Sequence, residues 1–321
     1  MKRNPNVFWI LLSVFSILLT GCSANAVAWG EIHESLPSAT PWMVDTNSTS
    51  PVIQITNTPI AITPIFTTTP TYRPSATITP LPTDTDIPTG SPTYSWNPAG
   101  SVIAPILLYH HVSDDDPENR YFVTMDNFHA QLQVLRDRGC TTITASDLAG
   151  VILRGGELPP KPILITFDDG YQDVFQNAFP IMQEMGFIGV IYIYVDQVGL
   201  KEFVNTEQIR ILADNGWEIG NHSMSHKDLT RNYSNLAYEV QESRSTLQET
   251  IGVNVDTFAY PYGKSDDVVI EYIKDSDYLA GMGLGLNWYH TLDSLFDLTR
   301  IEIRGDIDIN SFKSLLPWFD D

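Results

Sequence analysis

Cysteine is almost absent from these 321 residues, where only Cys22 and Cys140 occur. Two thiols allow at most one internal disulfide, so no disulfide framework holds the chain and its folded part must rest on an apolar core. Basic residues are scarce as well. The 18 Lys and Arg face 39 Asp and Glu, a formal charge of −21. From residue 101 onward, 15 basic residues stand against 34 acidic ones. Such a surface repels polyanions, which argues against nucleic acid as a partner and against electrostatic docking on anionic lipid. It is compatible with a neutral or cationic polymer, although a solvated acidic surface explains the charge equally well. Membrane-length apolar runs are missing too. The stretch from Val7 to Leu19 is broken by Ser13 and Ser16, and it falls short of the roughly 20 apolar residues that a spanning helix needs. No internal repeat is present.

What the first hundred residues do contain is a short apolar segment and a great deal of Thr and Pro. Lys2 and Arg3 precede the apolar stretch, and together residues 1–22 read as an export signal. The signal ends in Leu19-Thr20-Gly21-Cys22, which resembles the lipobox of bacterial lipoproteins. That resemblance implies lipid on Cys22, which would become the mature N-terminus, and an exported lipoprotein anchored to a bacterial membrane at the cell surface or in the periplasm. The other reading is an ordinary signal peptide that happens to contain a cysteine. Residues 23–100 read as a disordered tether, because Pro removes backbone donors and few large apolar side chains remain to bury. Fully extended, about 78 residues would reach about 240 Å, against about 50 Å as a flexible coil.

From residue 101 to 321 the texture is that of one α/β domain. Val102–Tyr109, Pro162–Phe167 and Phe187–Val195 read as buried strands, and Trp217–Gly220 and Asp256–Tyr260 as shorter ones. Helical patterns fill the gaps: a helix capped by Thr124 and stopped at Gly139, then Val174–Met185, Thr206–Asn215, Ser234–Ile251 and Asp266–Ser276. Strands alternating with helices predict a parallel sheet with helices outside, and this length suits one barrel. In such barrels the chemistry gathers where strands end. Three polar clusters follow strands here: His110-His111, Asp168-Asp169-Gly170 and His222-Ser223-Met224-Ser225-His226.

One carboxylate and two imidazoles make three ligands for a divalent ion with a position left open, and the second carboxylate is then free to take a proton. Adjacent strand residues point to opposite faces, so Asp168 and Asp169 can share a site only if the chain bends, which Gly170 allows. His222 and His226 are four apart and would share one face of a helical turn. Imidazole ligands favour Zn, with Co or Ni as alternatives, over Mg or Ca. Taken separately, Asp-Asp-Gly is also common turn chemistry and two His can sit on a polar loop. Cys140 reads as a small buried residue, His129 as a surface or packing residue, and His290 as either a sugar-site residue or part of a loop anchored by Trp288 and Tyr289.

Taken together, Thr166-Phe167-Asp168-Asp169-Gly170 and His222-Ser223-Met224-Ser225-His226 resemble the polysaccharide deacetylases, the NodB-homology carbohydrate esterases. Pro105-Ile106-Leu107-Leu108-Tyr109-His110 and Phe258-Ala259-Tyr260-Pro261-Tyr262-Gly263 extend the likeness to roughly residues 104–305. The resemblance implies a distorted (β/α) barrel and a metal-dependent hydrolase that removes acetyl groups from a sugar polymer. It implies Asp169, His222 and His226 as metal ligands, Asp168 as general base, and a backbone N–H near Tyr262, next to Pro261, as oxyanion donor. Two places depart from the family. An Arg that orients the base in many members is replaced by Ala259, and no His follows His290 to serve as the usual general acid. A branch that deacetylates extracellular poly-N-acetylglucosamine is more similar, and in it the acid comes from a position matching His110. The expectation is therefore an exported, monomeric N-deacetylase acting on an acetylated polysaccharide. An O-acetyl xylan esterase and a non-catalytic polysaccharide-binding protein on the same fold are the alternatives.

Overall fold

The computed structural model describes residues 93–318. Cys22, the export segment and the tether up to residue 92 lie outside them.

An eight-stranded parallel sheet organises the domain, and seven of its strands lie on one continuous path: β1 (Ile106–Tyr109), β2 (Pro162–Phe167), β3 (Val190–Ile193), β4 (Glu218–Asn221), β5 (Thr257–Ala259), β6 (Ala280–Met282) and β7 (Ile301–Glu302), with the short strand Thr141–Thr142 paired to β2 off that path. The spatial order along the path is β6-β5-β4-β3-β2-β1-β7. Register is fixed by pairs such as Tyr109 with Phe167 and Ile301 with Leu107. Leu298, just before β7, bridges in parallel to Met282 of β6. The segment 298–302 therefore touches both ends of the sheet and closes it into the expected barrel. One continuous strand over Val102–Tyr109 does not form. Pro105 lacks an N–H, and the chain is split there into an antiparallel strand, Ser101–Ile103 paired with Tyr289–Thr291, and β1.

Strand alternation sorts the side chains into two cores. Leu107, Tyr109, Ile163, Ile165 and Phe167 pack outward under the helices, together with Ile191, Ile219 and Phe258. Ile106, Leu164, Val190, Tyr192, Ala259, Met282 and Leu298 belong to the other cluster, on the inner side. The helices are α1 (Met125–Asp137), α2 (Ala145–Arg154), α3 (Phe179–Glu184), α4 (Thr206–Asp214), α5 (Ser243–Ile251), α6 (Asp267–Asp275) and α7 (Ile309–Ser314). Thr124 caps α1 through the Asn127 N–H, and Phe128, Leu132 and Leu135 are its buried face, as the sequence pattern predicts. Two of the expected helices, Val174–Met185 and Ser234–Ile251, are interrupted. Val174–Ala178 and Ala237–Glu242 are wide π-helical turns that lead into α3 and α5.

Cys140 is buried where α1 turns into the next strand, and burial pushes its thiol up to about 11. It is a packing residue, as read from the sequence. His290 is also buried and donates from Nε2 to the Ala104 carbonyl, 3.0 Å away, before the start of β1. It tethers the split strand at the end of the barrel remote from His110, so the sugar-site alternative for His290 is set aside. His129 is exposed on α1.

Candidate active site

The parity that sends Leu164 inward carries on along β2 to Thr166 and Asp168. The same parity carries Ile106 on to His110, Gly220 to His222 and Leu298 to Arg300. These side chains meet at the C-terminal mouth in a cleft of about 320 Å³, lined among others by His110, Asp168, Asp169, His222, His226 and Tyr262.

Asp169 has the wrong parity and reaches the cleft through a bend. Its own φ is +70° and that of Gly170 is +77°, so two successive left-handed residues make the turn. The sequence placed the bend on Gly170 alone, whereas a non-glycine residue shares it. A β-carbon on Gly170 would come within 3.1 Å of Ile193 Cδ1, which leaves little room for another residue there.

The segment 222–226 is not a helical turn, contrary to the spacing argument. Ser223 and His226 have φ of +72° and +53°. The loop is pinned instead: Ser223 Oγ accepts the His226 N–H at 2.9 Å, and the buried Glu239 accepts the Ser225 N–H at 2.8 Å and its hydroxyl as well. This winding brings His222 Nε2 and His226 Nε2 to 3.5 and 3.2 Å from Asp169 Oδ1. The three ligand atoms lie within 4.8 Å of one another. Asp169 Oδ1 is buried and, among the described residues, has no hydrogen-bond partner. A buried carboxylate oxygen left open between two imidazole nitrogens is a poor arrangement without a cation and a good one with it. His222 Nδ1 lies 2.8 Å from the Ala259 carbonyl, which can only accept. The proton is therefore on Nδ1, and the Nε2 lone pair faces the site. Burial, and secondarily the His222 charge, lowers the pKa of His226, which favours its neutral, ligating form. The donor set thus fits a borderline divalent ion such as Zn.

Asp168 sits beside this cluster, with Oδ2 3.7 Å from His222 Nε2. The sequence implied that it lacks guanidinium support, because Ala259 replaces the family's Arg. The structure corrects this. Arg300, just before β7, grips Asp168 with both guanidinium nitrogens, NH1 to Oδ1 at 2.6 Å and NH2 to Oδ2 at 2.8 Å. Both side chains are almost wholly inaccessible. Nε donates to the Gly283 carbonyl, and the guanidinium carbon lies 5.4 Å from the Tyr192 ring centre. Burial pushes the Asp168 carboxyl up, but Arg300, with help from His222 and His110, more than reverses this and holds it at about 2. The available signal was parity: Leu298 and Arg300 alternate inward on the strand that closes the barrel.

His110 reaches the cleft from the end of β1, and its Nδ1 is buried without a hydrogen-bond partner among the described residues. Burial lowers its pKa, while Asp168 and Asp169 act in the opposite direction. Tyr262 has φ of +61° and Gly263 of +63°, so the turn after Pro261 is wound left-handedly and lies on the cleft wall. At Gly263 a β-carbon would fall 2.2 Å from Leu284 Cγ. The Tyr262 ring packs 4.6 Å from that of His226. Pro261 itself is buried. Asn119, Arg120, Tyr121, Tyr171 and Glu302 complete the lining, and the sequence reading singled out none of them.

A family model described as polysaccharide deacetylase matches residues 155–281. That span holds Asp168, Asp169, His222, His226, Pro261 and Tyr262, but neither His110 nor Arg300. The Bacillus subtilis protein YxkH, whose name places it among polysaccharide deacetylases, is 26% identical over 213 residues, 66% of this chain and 75% of that protein. The poly-beta-1,6-N-acetyl-D-glucosamine N-deacetylase of Staphylococcus aureus (strain MRSA252) is 22% identical over 229 residues, 67% of this chain and 77% of that protein. Among solved structures, a polysaccharide deacetylase from Bacillus cereus superposes with a TM-score of 0.61 at 28% identity, over 67% of this chain and 69% of that one.

Proposed function

We propose that this chain, a member of the polysaccharide deacetylase family, removes N-acetyl groups from an N-acetylglucosamine-type polysaccharide outside the cytoplasm. One observation carries this reading: Asp169 Oδ1 and the two Nε2 atoms of His222 and His226 converge beside a second, separately held carboxylate. The named activity of the Staphylococcus aureus relative supports the substrate class.

Asp169, His222 and His226 would hold a divalent ion, which when bound would supply Lewis-acid polarisation. Asp168 takes the proton of the attacking water. Held at about 2 by Arg300, its carboxyl stays ionised and available as the proton acceptor. Arg300 fixes both of its oxygens and so fixes its aim. His110 protonates the departing amine, and its lowered pKa makes the imidazolium a stronger acid for that step. A backbone N–H of the left-handed turn at Tyr262 holds the oxygen that gains charge. With Arg300 in place of the missing motif Arg, one of the two grounds for a non-catalytic binding protein, the other being the missing C-terminal His, falls away.

The test is release of free amine from N-acetylglucosamine oligomers, run beside acetate release from acetylxylan. Turnover of the oligomers, abolished by chelation and restored by Zn, Co or Ni, is the expected result. Turnover of the ester substrate alone overturns the N-deacetylase reading. For location, we propose a lipid anchor at Cys22, with the tether letting the domain sample nearby polymer. Cys22→Ala is expected to move the protein from the membrane to the soluble fraction, and unchanged membrane retention sinks the anchor.

A further inference from the structure

His111 is not used by this chemistry, yet it lines the same cleft as His110. By parity it belongs to the outer side of the strand, and it enters the cleft at the rim. Its ring is clamped between Phe122, with centres 3.9 Å apart and planes at 14°, and Tyr171, at 3.7 Å and 28°. Nδ1 lies 2.7 Å from Asp173 Oδ2. A carboxylate accepts and does not donate, so the proton sits on Nδ1 and Nε2 keeps its lone pair. The clamp prevents the ring from turning over. Both side chains are about five-sixths shielded, with 16% and 17% of their surface accessible.

Asp173 offers a second, independent sign of purpose. It directly precedes the helical turn Val174–Ala178 and is itself helical (φ −65°, ψ −25°), so its side chain faces away from a capping role and makes no capping bond. Its other oxygen, Oδ1, is buried and has no hydrogen-bond partner among the described residues. The carboxylate is given over to His111. A mere packing role for the ring would need the two aromatic faces and no acid.

We propose that His111, oriented by Asp173, is a rigid hydrogen-bond acceptor for a hydroxyl of the glycan in the cleft. This rests on the deacetylase reading above and adds a specificity element to it. His111 touches substrate, and Asp173 is a positioning residue that acts through it. The substrate class thereby selected is a sugar with a free hydroxyl near the acetamido group, in preference to an acetylated amine without one.

Three variants test this in the metal-loaded, full-length protein with N-acetylglucosamine oligomers. His111→Phe keeps the aromatic sandwich and removes the acceptor. Asp173→Asn can donate to Nδ1, which moves the proton to Nε2 and turns the acceptor into a donor. Each is expected to raise KM about tenfold, the size of one lost hydrogen bond, while kcat falls less than about threefold. The double variant is expected to match His111→Phe, since Asp173 has no role without the ring. One member of a panel of monodeoxy oligomers is expected to bind wild type and His111→Phe equally, and it names the hydroxyl. Unchanged KM in both single variants, additive losses in the double, or a full loss on every deoxy oligomer overturns the assignment. Wild-type turnover, measured first, separates the two readings. If wild type is active and the variants match it, only the role of His111 falls; if wild type is inert toward the oligomers, both fall.

Discussion

Asp168→Asn is expected to lower kcat on N-acetylglucosamine oligomers about a thousandfold while the bound metal stays near one per chain. Asp168 is not among the three converging ligand atoms, and both of its oxygens are committed to Arg300. An amide of the same shape leaves Asp169, His222 and His226 untouched and removes the only feature that matters for proton transfer, a negative oxygen. Elemental analysis beside a progress curve reads both quantities. Activity above about a tenth of wild type, or loss of metal in step with activity, sinks the division of labour between the two acids. His222→Ala provides the contrast, because it removes ligand and turnover together.

Arg300→Leu is expected to be as damaging, through a different route. It leaves a carboxylate in a site where Asp168 is only 3% accessible, and breaking a buried pair from one side costs about 3–5 kcal/mol. Urea denaturation of the chelated protein measures this directly. The pH dependence gives a sign that loss of packing does not mimic. In the native protein the Asp168 carboxyl lies at about 2 against an ordinary 3.8. Its contribution to stability is therefore present above about pH 4 and lost as pH falls through 2. Without the guanidinium, burial remains the largest influence and lifts the carboxyl above its unfolded value. Stability from this group is then present at low pH and lost as pH rises. Relative to wild type, Arg300→Leu is expected to fare better at pH 4 than at pH 7. Adding Asp168→Asn is expected to recover much of the stability and none of the activity. A constant deficit across pH refutes the account of the pair.

Much of this was legible in the sequence because it is local. The strand Pro162–Phe167, the cap at Thr124 and the face Phe128, Leu132 and Leu135 follow from periodicity and capping alone. The metal set was found because its residues are chemically conspicuous and sit in two short motifs. Their mechanism of convergence was not legible. Spacing put His222 and His226 on a helix, whereas left-handed residues at Ser223 and His226, held by Glu239, bring them together. No spacing rule announces an L-residue at positive φ. Arg300 was missed for a different reason. The family motif puts its guanidinium at the place of Ala259, whereas the barrel brings one from about forty residues downstream. His111 and Asp173 were hidden because their pairing joins the end of one strand to the first turn of a helix about sixty residues later, and these meet only in three dimensions.

The closing segment 298–302 also has a temporal consequence. Ile301 pairs with Leu107, so the barrel closes between residues nearly two hundred positions apart. Contacts of such separation carry the largest loop-closure entropy and form slowly. The three candidate metal ligands all lie between 169 and 226, within the continuous run of neighbouring strands β2, β3 and β4. Assembly therefore favours a chain in which Asp169, His222 and His226 can come together before Arg300 reaches Asp168, so that the Asp168–Arg300 pair is the last part of the cleft to be completed.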